Sequence, residues 1–361
     1  MSRFLLACGG TGGHLAPGIA LAQRLAEDGG ECLLIVSRKA VDARMTAKYP
    51  ALRFLPGSGR GFGPGLLGRI LFFPAFLGAV WASWRTLRSF GADAVVCFGG
   101  FMSLGPAVAA ALAGVPVIVH EANRKPGKAV RLIARFASAV HLPPGVRVAG
   151  VAPERQSDSG YPVRKEIGPR PRAESRRALG LPEEGRMVLV LGGSQGAASL
   201  TRWAESALPE LAARGTHLLC LTGPSGRDAV ERHGGVTARF LPFCDRMAEA
   251  YAAADLAVSR AGAGTLAELA ACRTPAVLVP LPTAADDHQS ANAEHLAGTG
   301  AAVCVRESEI AGLCAEVCAR LDDASGLARM RTALAAADAA NRWDELRRHA
   351  VAFAKEGRAG R

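Results

Sequence analysis

Glycine-rich loops that could bind an anion occur at three places in the sequence. They cover residues 9–14, 192–197 and 260–265, and each follows a short apolar run typical of a buried strand. Glycine lets backbone N–H groups approach an anion, and a helix after the loop adds the positive end of its dipole. A dinucleotide fingerprint is absent, because Leu15 stands at its third glycine position. Three such loops favour ligand binding over ordinary tight turns.

Side chains able to do proton or hydroxyl chemistry stand beside these loops. His14 ends the first loop and is either a general base or an inert histidine at a helix start. Glu268 follows the third loop, as a first-turn acid stabilised by the dipole or as a carboxylate that binds two ribose hydroxyls. The run 120–123 follows another strand but is no metal motif, since the second His of a helical H-E-x-x-H would fall at Arg124. The run 286–289 is either a solvated loop or a reader of sugar hydroxyls.

A long segment of the first half is basic and apolar. Residues 43–92 contain seven Lys/Arg and no acid, and residues 122–153 repeat the bias. Plain core is one interpretation, but basic flanks around a contiguous Leu/Phe/Trp block favour an interfacial helix on anionic lipid over core or a nucleic-acid face. Arg69 and Pro74 make residues 65–84 a poor membrane span. The predicted docking residues are Leu66, Leu67, Arg69, Ile70, Phe73, Trp81, Trp84, Arg85 and Arg88.

Short apolar runs alternate with Ala-rich helical stretches along the whole chain. This order predicts parallel sheets covered on both faces, in two successive doubly wound α/β domains. The predicted strands are 4–8, 32–36, 94–98, 115–120, 187–191, 217–221, 256–259, 276–279 and 302–305. A Pro-rich join predicts domains at 1–164 and 165–340, with a tail at 341–361. The tail should be helical from Ala333, and its Trp343 and Phe353 could pack on either domain.

Composition excludes whole classes of protein. The 361 residues are 49% hydrophobic and 21% charged, which excludes wholesale disorder. Nearly all of the net charge of +11 is in the first half, which indicates a polyanionic partner, either nucleic acid or membrane. Nine cysteines without a C-x-x-C pair predict buried thiols of a cytosolic protein, and the N-terminal region lacks the pattern of a secretory leader.

The motifs, taken in their order, resemble the MurG family. The segments that carry the resemblance are GGTGGH at 9–14, His120-Glu121-x-Asn123, Pro162-Val163-Arg164, GGSQGA at 192–197, 260–268 and Asp287-His288-Gln289-x-x-Asn292. The family implies a GT-B fold, with two Rossmann-like domains and a cleft between them. It implies inverting transfer of GlcNAc from UDP-GlcNAc to the 4-hydroxyl of MurNAc on lipid I, without cofactor or metal. The enzyme would serve peptidoglycan synthesis, and hence cell shape and division, at the cytoplasmic face of the inner membrane.

The resemblance also implies roles for individual residues. His14 matches the candidate base, Glu268 the ribose contact and Gln289 the reader of GlcNAc hydroxyls. Cys244 lies where backbone groups read uracil, and Asn123 resembles a donor-sugar contact. The implied phosphate contacts and helix start are Thr11, Gly12, Gly13, Arg164, Ser194, Ala263, Gly264, Thr265, Leu266 and Ala267. Tyr161 departs from the family, which usually has Asn before Pro162.

Rival interpretations remain at this stage. One is a related GT-B enzyme with another lipid acceptor, such as a diacylglycerol. Another is a non-catalytic UDP-sugar binder or membrane scaffold, although a scaffold would need neither His14 nor Glu268. A UDP-sugar epimerase is a third, but a soluble substrate needs no basic apolar stretch. The expected partners are UDP-GlcNAc, lipid I, an anionic membrane surface and other cell-wall synthesis proteins, but not nucleic acid.

Overall fold

The structure is a computed structural model. It describes residues 1–9, 12–57, 65–193 and 196–359, with the side chains of all of these except 12, 40, 41, 65–72 and 359. The chain divides into two compact units. Unit 1 comprises Met1–Arg164 and Asn341–Arg361, and unit 2 comprises Lys165–Ala340.

Among the described residues, unit 1 contains one sheet of seven parallel strands in the order β3-β2-β1-β4-β5-β6-β7. These strands are β1 (Arg3–Ala7), β2 (Glu31–Val36), β3 (Arg53–Pro56), β4 (Ala94–Cys97), β5 (Val117–His120), β6 (Ala139–Leu142) and β7 (Gln156–Asp158). The helices of this unit are α1 (Gly12–Glu27), α2 (Ala40–Ala47), α3 (Gly65–Phe90), α4 (Leu104–Leu112), α5 (Lys128–Ala134) and α13 (Asp344–Ala359). Strand order reverses between β1 and β4, and such a switch point opens a crevice for ligands at the strands' carboxyl ends.

Side-chain alternation along the strands of unit 1 builds a core on each face of its sheet. Leu5 of β1 points into one core with α3, α4 and α5. Phe4 and Leu6 point into the other core with α1 and α13. Both faces are therefore covered, as the continuous apolar strands predict.

Unit 2 repeats the doubly wound plan. In the part of the chain that is described, its strands are β8 (Arg186–Leu191), β9 (Thr216–Leu221), β10 (Ala229–His233), β11 (Val236–Leu241), β12 (Leu256–Ser259), β13 (Ala276–Leu278) and β14 (Ala302–Cys304). They follow the order β10-β11-β9-β8-β12-β13-β14, and β10 alone among them is antiparallel. The switch point lies between β8 and β12.

The helices of unit 2 cover its sheet on both sides. They are α6 (Arg172–Ala178), α7 (Ala198–Ala213), α8 (Met247–Ala253), α9 (Ala263–Cys272), α10 (His288–Gly298), α11 (Leu313–Asp322) and α12 (Ala324–Ala339). Helices α7, α11 and α12 share one core with β8. Helices α8 and α9 pack on each other.

The C-terminal tail differs from its prediction. It is not one helix from Ala333, because α12 ends at Ala339 and α13 begins at Asp344. Asn341 lies in the break, and its Nδ2 donates a hydrogen bond to the Tyr161 carbonyl oxygen at 3.0 Å. Helix α13 then packs on unit 1, where Leu346 and Ala350 are fully buried beside the partly buried Trp343 and Phe353.

Candidate functional site

His14 lies at the switch point of unit 1, in the first turn of α1. Its imidazole rests against Gly99 and Gly100, which follow β4 with φ values of +89° and +73°. A Cβ at Gly100 would lie 3.0 Å from the Gly9 carbonyl oxygen and 3.3 Å from His14 Cε1. The positive φ values and these close contacts favour glycine at both positions, so the two glycines form a seat for the histidine at the edge where ligands collect.

The loop after β5 is organised by one buried carboxylate. Glu121 Oε1 accepts hydrogen bonds from the backbone N–H of Asn123 and from its Nδ2, at 2.8 and 2.9 Å. Glu121 Oε2 accepts from Gly127 N at 2.8 Å. Glu121 therefore fixes the loop and orients Asn123, a role that the sequence did not indicate.

Two buried histidines lie beneath this loop and stay neutral. Burial lowers the pKa of His120 to about 4, while its Nε2 pairs with the Gly160 carbonyl oxygen. Burial, with smaller contributions from His120 and His349, lowers the pKa of His141 to about 3. His120 is thus a structural donor in unit 1.

We expect unit 1 to lose stability as the pH falls from about 6.5 toward 4. In this window the imidazoles of the unfolded chain, with ordinary pKa values of about 6.5, bind protons, whereas the buried imidazoles of the folded chain stay neutral. Proton binding therefore stabilises the unfolded state. Urea unfolding followed by tryptophan fluorescence between pH 7.5 and 4.5 measures the effect, and His141→Gln should reduce it. A midpoint that is constant over this range would contradict the expectation.

Unit 2 presents two helix N-termini at its switch point. Gly262 is the N-cap of α9 and Ala197 that of α7, and neither residue has a side chain that caps the helix. The first hydrogen bonds within these helices run from Leu266 N to Gly262 O and from Thr201 N to Ala197 O. The backbone N–H groups of the preceding residues in each first turn therefore have no acceptor within their helix. Backbone donors and dipole ends of this kind suit a diphosphate. The predicted contacts Ala263, Gly264, Thr265, Leu266 and Ala267 form the start of α9.

Arg260 joins the loops of this switch point. Its guanidinium donates to Ser199 Oγ at 2.8 Å, to the Val279 carbonyl oxygen at 3.0 Å and to the Glu307 carboxylate. Hydrogen bonding to Arg260 is also the main reason why the pKa of Glu307 lies below its usual range. Arg260 thereby ties the first turn of α7 to the ends of β12, β13 and β14.

Helix α10 holds the loop that leads into α9. Gln289 Oε1 accepts from the backbone N–H groups of Ala261 and Leu281 at 3.1 and 3.0 Å, and the buried Asn292 Nδ2 donates to the Ala261 carbonyl oxygen at 3.2 Å. Because two backbone donors take the carbonyl end of Gln289, its NH₂ group is the end suited to a ligand oxygen.

Glu268 lies in the second turn of α9 and is buried. Its Oε2 accepts a hydrogen bond from the hydroxyl of Tyr251 at 2.9 Å. Cys244 is buried in the segment between β11 and α8, at the carboxyl end of β11. Unit 2 therefore places Gln289 against the loop that leads into α9, and Glu268 one turn further along the same helix.

The remaining predicted residues belong to unit 1 or lie outside the described residues. Arg164 is buried, and its Nη1 donates to the Tyr49 hydroxyl at 3.2 Å. Gly12 and Gly13 begin α1. Tyr161, the departure from the family pattern, donates from its hydroxyl to the Gly13 carbonyl oxygen at 3.3 Å and so supports the first loop. Thr11 and Ser194 lie outside the described residues.

The predicted docking helix is α3, and it exposes large apolar side chains. Phe73 is 66% exposed, Leu77 65% and Trp81 59%. The guanidinium carbon of Arg85 lies 4.9 Å from the Trp81 ring centroid, and that of Arg88 lies 4.7 Å from the Trp84 ring centroid. The side chains of Leu66, Leu67, Arg69 and Ile70 lie outside the described set.

Two further findings concern metals and membranes. Within the described residues, no helix combines the length and the apolarity needed to cross a bilayer. In the same part of the chain, no three His, Cys, Asp or Glu side chains group closely enough to hold a metal ion.

Known proteins share both units. The family model described as the glycosyltransferase family 28 N-terminal domain matches residues 4–142, and that of the C-terminal domain matches residues 187–343. A UDP-N-acetylglucosamine–N-acetylmuramyl-(pentapeptide) pyrophosphoryl-undecaprenol N-acetylglucosamine transferase of Opitutus terrae is 45% identical over 316 residues, which are 85% of this chain and 83% of that one. The enzyme of the same name from Methylococcus capsulatus is 39% identical over 85% of this chain and 86% of its own.

A solved structure agrees with these relatives. The crystal structure of Acinetobacter baumannii MurG matches with a TM-score of 0.68 and 27% identity, covering 92% of this chain and 94% of that chain. The predictions of two doubly wound domains and of the MurG resemblance are thus confirmed. The chain belongs to glycosyltransferase family 28 and, within it, to the MurG family of N-acetylglucosaminyltransferases.

Proposed function

We propose that this chain transfers GlcNAc from UDP-GlcNAc to lipid I, the N-acetylmuramyl-(pentapeptide) diphosphate of undecaprenol, and so makes lipid II for peptidoglycan synthesis. The observation that carries the proposal is the 45% identity, over 85% of the chain, to a transferase whose name states this donor and this acceptor. The test is the movement of labelled GlcNAc into the lipid fraction when a lipid I analogue is supplied. Label that stays in the aqueous fraction contradicts the proposal.

The chemistry is one displacement at the anomeric carbon of GlcNAc. The 4-hydroxyl oxygen of the acceptor forms a bond to C1, the bond from C1 to the diphosphate of UDP breaks, and the configuration inverts. The hydroxyl proton goes to a base, for which we propose His14. The position of His14 at the unit 1 switch point, seated on Gly99 and Gly100, supports this role.

Unit 2 supplies the proposed donor contacts. The start of α9 receives the diphosphate, which carries more negative charge as it leaves. Glu268 binds the ribose hydroxyls, and Gln289 donates from its NH₂ group to a sugar hydroxyl. The backbone around Cys244 reads uracil, and Ser194 adds a phosphate contact. Further phosphate and sugar contacts are assigned to Asn123, Arg164 and the loop 11–13, which belong to unit 1. No metal ion or cofactor takes part.

Replacing Glu268 with alanine should weaken UDP binding. Hydrogen bonds to charged groups are worth ~1.5–3 kcal/mol each, so we expect the loss of even one of the two ribose bonds to raise Kd for UDP by roughly 10- to 100-fold. Isothermal titration calorimetry measures the change. Glu294→Ala, at an exposed acid of α10, is the matched control and should bind UDP as the wild type does. An unaltered Kd in Glu268→Ala would remove Glu268 from the donor site.

We also propose that the protein attaches peripherally to the cytoplasmic face of the inner membrane. The proposed docking face is defined here as Phe73, Leu77, Trp81, Trp84, Arg85 and Arg88 of α3, with Leu112, Leu132 and Phe136. The last three are 75%, 48% and 39% exposed and belong to α4, α5 and the segment after α5, whose helices share one layer with α3. Exposed aromatic and aliphatic side chains with arginines suit an anionic interface.

The alternatives have weaker support. Both relatives are named for lipid I transfer, which disfavours another lipid acceptor or an epimerase. A non-catalytic binder would need no base, yet His14 lies at the switch point of unit 1, where a base for the transfer would be expected.

A further inference from the structure

Tyr251 is a buried tyrosine whose hydroxyl contacts the proposed ribose-binding carboxylate. It lies in α8, is 1% exposed, and donates to Glu268 Oε2 at 2.9 Å. A phenylalanine would fill the same apolar space, so packing alone does not account for a buried hydroxyl at this position. The glycine-loop motifs assign it no role.

The hydroxyl is held in place by the fold around it. Helix α8 packs on α9, and the Thr274 hydroxyl, 2% exposed, donates to the Tyr251 carbonyl oxygen at 3.1 Å. The tyrosine is therefore anchored through its backbone as well as its ring. Its O–H points at Glu268 across the interface between the two helices.

A glutamate needs such a support if it is to bind two hydroxyls at once. Rotation about its last torsion is broad, so an unsupported carboxylate samples many planes. Two neighbouring ribose hydroxyls require one defined plane, because both carboxylate oxygens must face them together. A carboxylate offers about four acceptor positions, and Tyr251 occupies one of them.

We propose that Tyr251 is a positioning residue that fixes the Glu268 carboxylate in the plane that receives the 2′- and 3′-hydroxyls of the donor's ribose. The site thereby favours a ribonucleotide over its 2′-deoxy form. The inference rests on the proposed role of Glu268 in UDP binding.

Calorimetric titration of UDP and 2′-deoxy-UDP tests the inference in four proteins. These are the wild type, Tyr251→Phe, Glu268→Ala and the double variant. Without the Tyr251 hydroxyl, the Glu268 carboxylate should bind the two ribose hydroxyls less well. We therefore expect Tyr251→Phe to raise Kd for UDP about tenfold but Kd for 2′-deoxy-UDP by less than about threefold. KM for UDP-GlcNAc should rise in parallel while kcat stays within about twofold, since the lost contact acts on binding. In the Glu268→Ala background, Tyr251→Phe should add nothing.

Thr274→Val is the matched control for damage to the core. It removes the hydrogen bond from the Thr274 hydroxyl to the Tyr251 carbonyl oxygen and leaves the bond from Tyr251 to Glu268 in place, so it should lower the urea midpoint and leave Kd for UDP unchanged. If Thr274→Val weakens UDP binding as much as Tyr251→Phe does, the effect belongs to the core and the inference is wrong.

The remaining outcomes separate this inference from the proposed function. An unchanged Kd in Tyr251→Phe, or an effect that persists without Glu268, overturns the role of Tyr251 alone. An unchanged Kd in Glu268→Ala overturns the ribose contact itself. The wild-type protein tests the inference even if Tyr251→Phe does not fold. Equal Kd values for UDP and 2′-deoxy-UDP would overturn the proposed preference for the ribonucleotide.

Discussion

Replacing His14 with alanine is expected to lower turnover by ~10²–10⁴-fold, the usual contribution of a positioned general base. UDP affinity should stay unchanged, because His14 is proposed to act on the acceptor's hydroxyl proton and is not among the proposed donor contacts. The measurements are a single-turnover transfer assay and a UDP titration on the same protein.

The control for this variant is His233→Ala, at an exposed histidine of β10. It should transfer GlcNAc at the rate of the wild type. Near-normal turnover in His14→Ala would mean that another group or water accepts the hydroxyl proton and that His14 is not the general base.

The double variant Arg85→Glu/Arg88→Glu should lose binding to anionic vesicles. Each basic residue near such a surface is worth ~1 kcal/mol, so reversing two charges costs about 4 kcal/mol, or about 10³-fold in the partition coefficient. Wild-type protein should sediment with anionic but not zwitterionic vesicles. Binding should weaken as salt rises, because exposed charges are screened over ~10 Å at 0.1 M.

The matched control is Arg348→Glu/Lys355→Glu on α13, which covers the opposite face of the unit 1 sheet. Equal loss of vesicle binding in both variants would indicate net charge rather than the docking face. Wild-type protein that does not bind anionic vesicles at low salt would show that the exposed face of α3 is not a lipid-binding surface, and the membrane proposal would be wrong.

Apolar runs made most of the fold predictable. Every predicted strand forms, with ends that shift by at most two residues, as for Val117–His120 against the predicted 115–120. The prediction missed β3, β6, β7, β10 and β11. Of these, β3, β7 and β10 lie at sheet edges, where one side is solvated and the side chains are mostly not buried, whereas β6 and β11 are interior strands. The tail's apolar stripe predicted a buried face but not which unit receives it, because that depends on contacts such as Asn341 with Tyr161.

Site geometry was less accessible from the sequence. The glycine loops and Glu268 were found because a strand followed by glycines and a helix has a recognisable order. The contacts of Tyr251 and Arg260 could not be found, since each joins different elements of the fold and depends on how these elements pack. The sequence also did not indicate that the carbonyl oxygen of the Gln289 side chain accepts hydrogen bonds from two backbone N–H groups. The NH₂ group is therefore the end suited to a sugar hydroxyl.

The most direct test of the proposed function is transfer of labelled GlcNAc from UDP-GlcNAc to a lipid I analogue in excess chelator. We expect label in the lipid fraction at a rate that chelator does not change, with inverted anomeric configuration, and its near-complete loss in His14→Ala. Three results would contradict the account. They are label found only in free GlcNAc, faster transfer to diacylglycerol than to lipid I, and transfer to lipid only after magnesium or manganese is added.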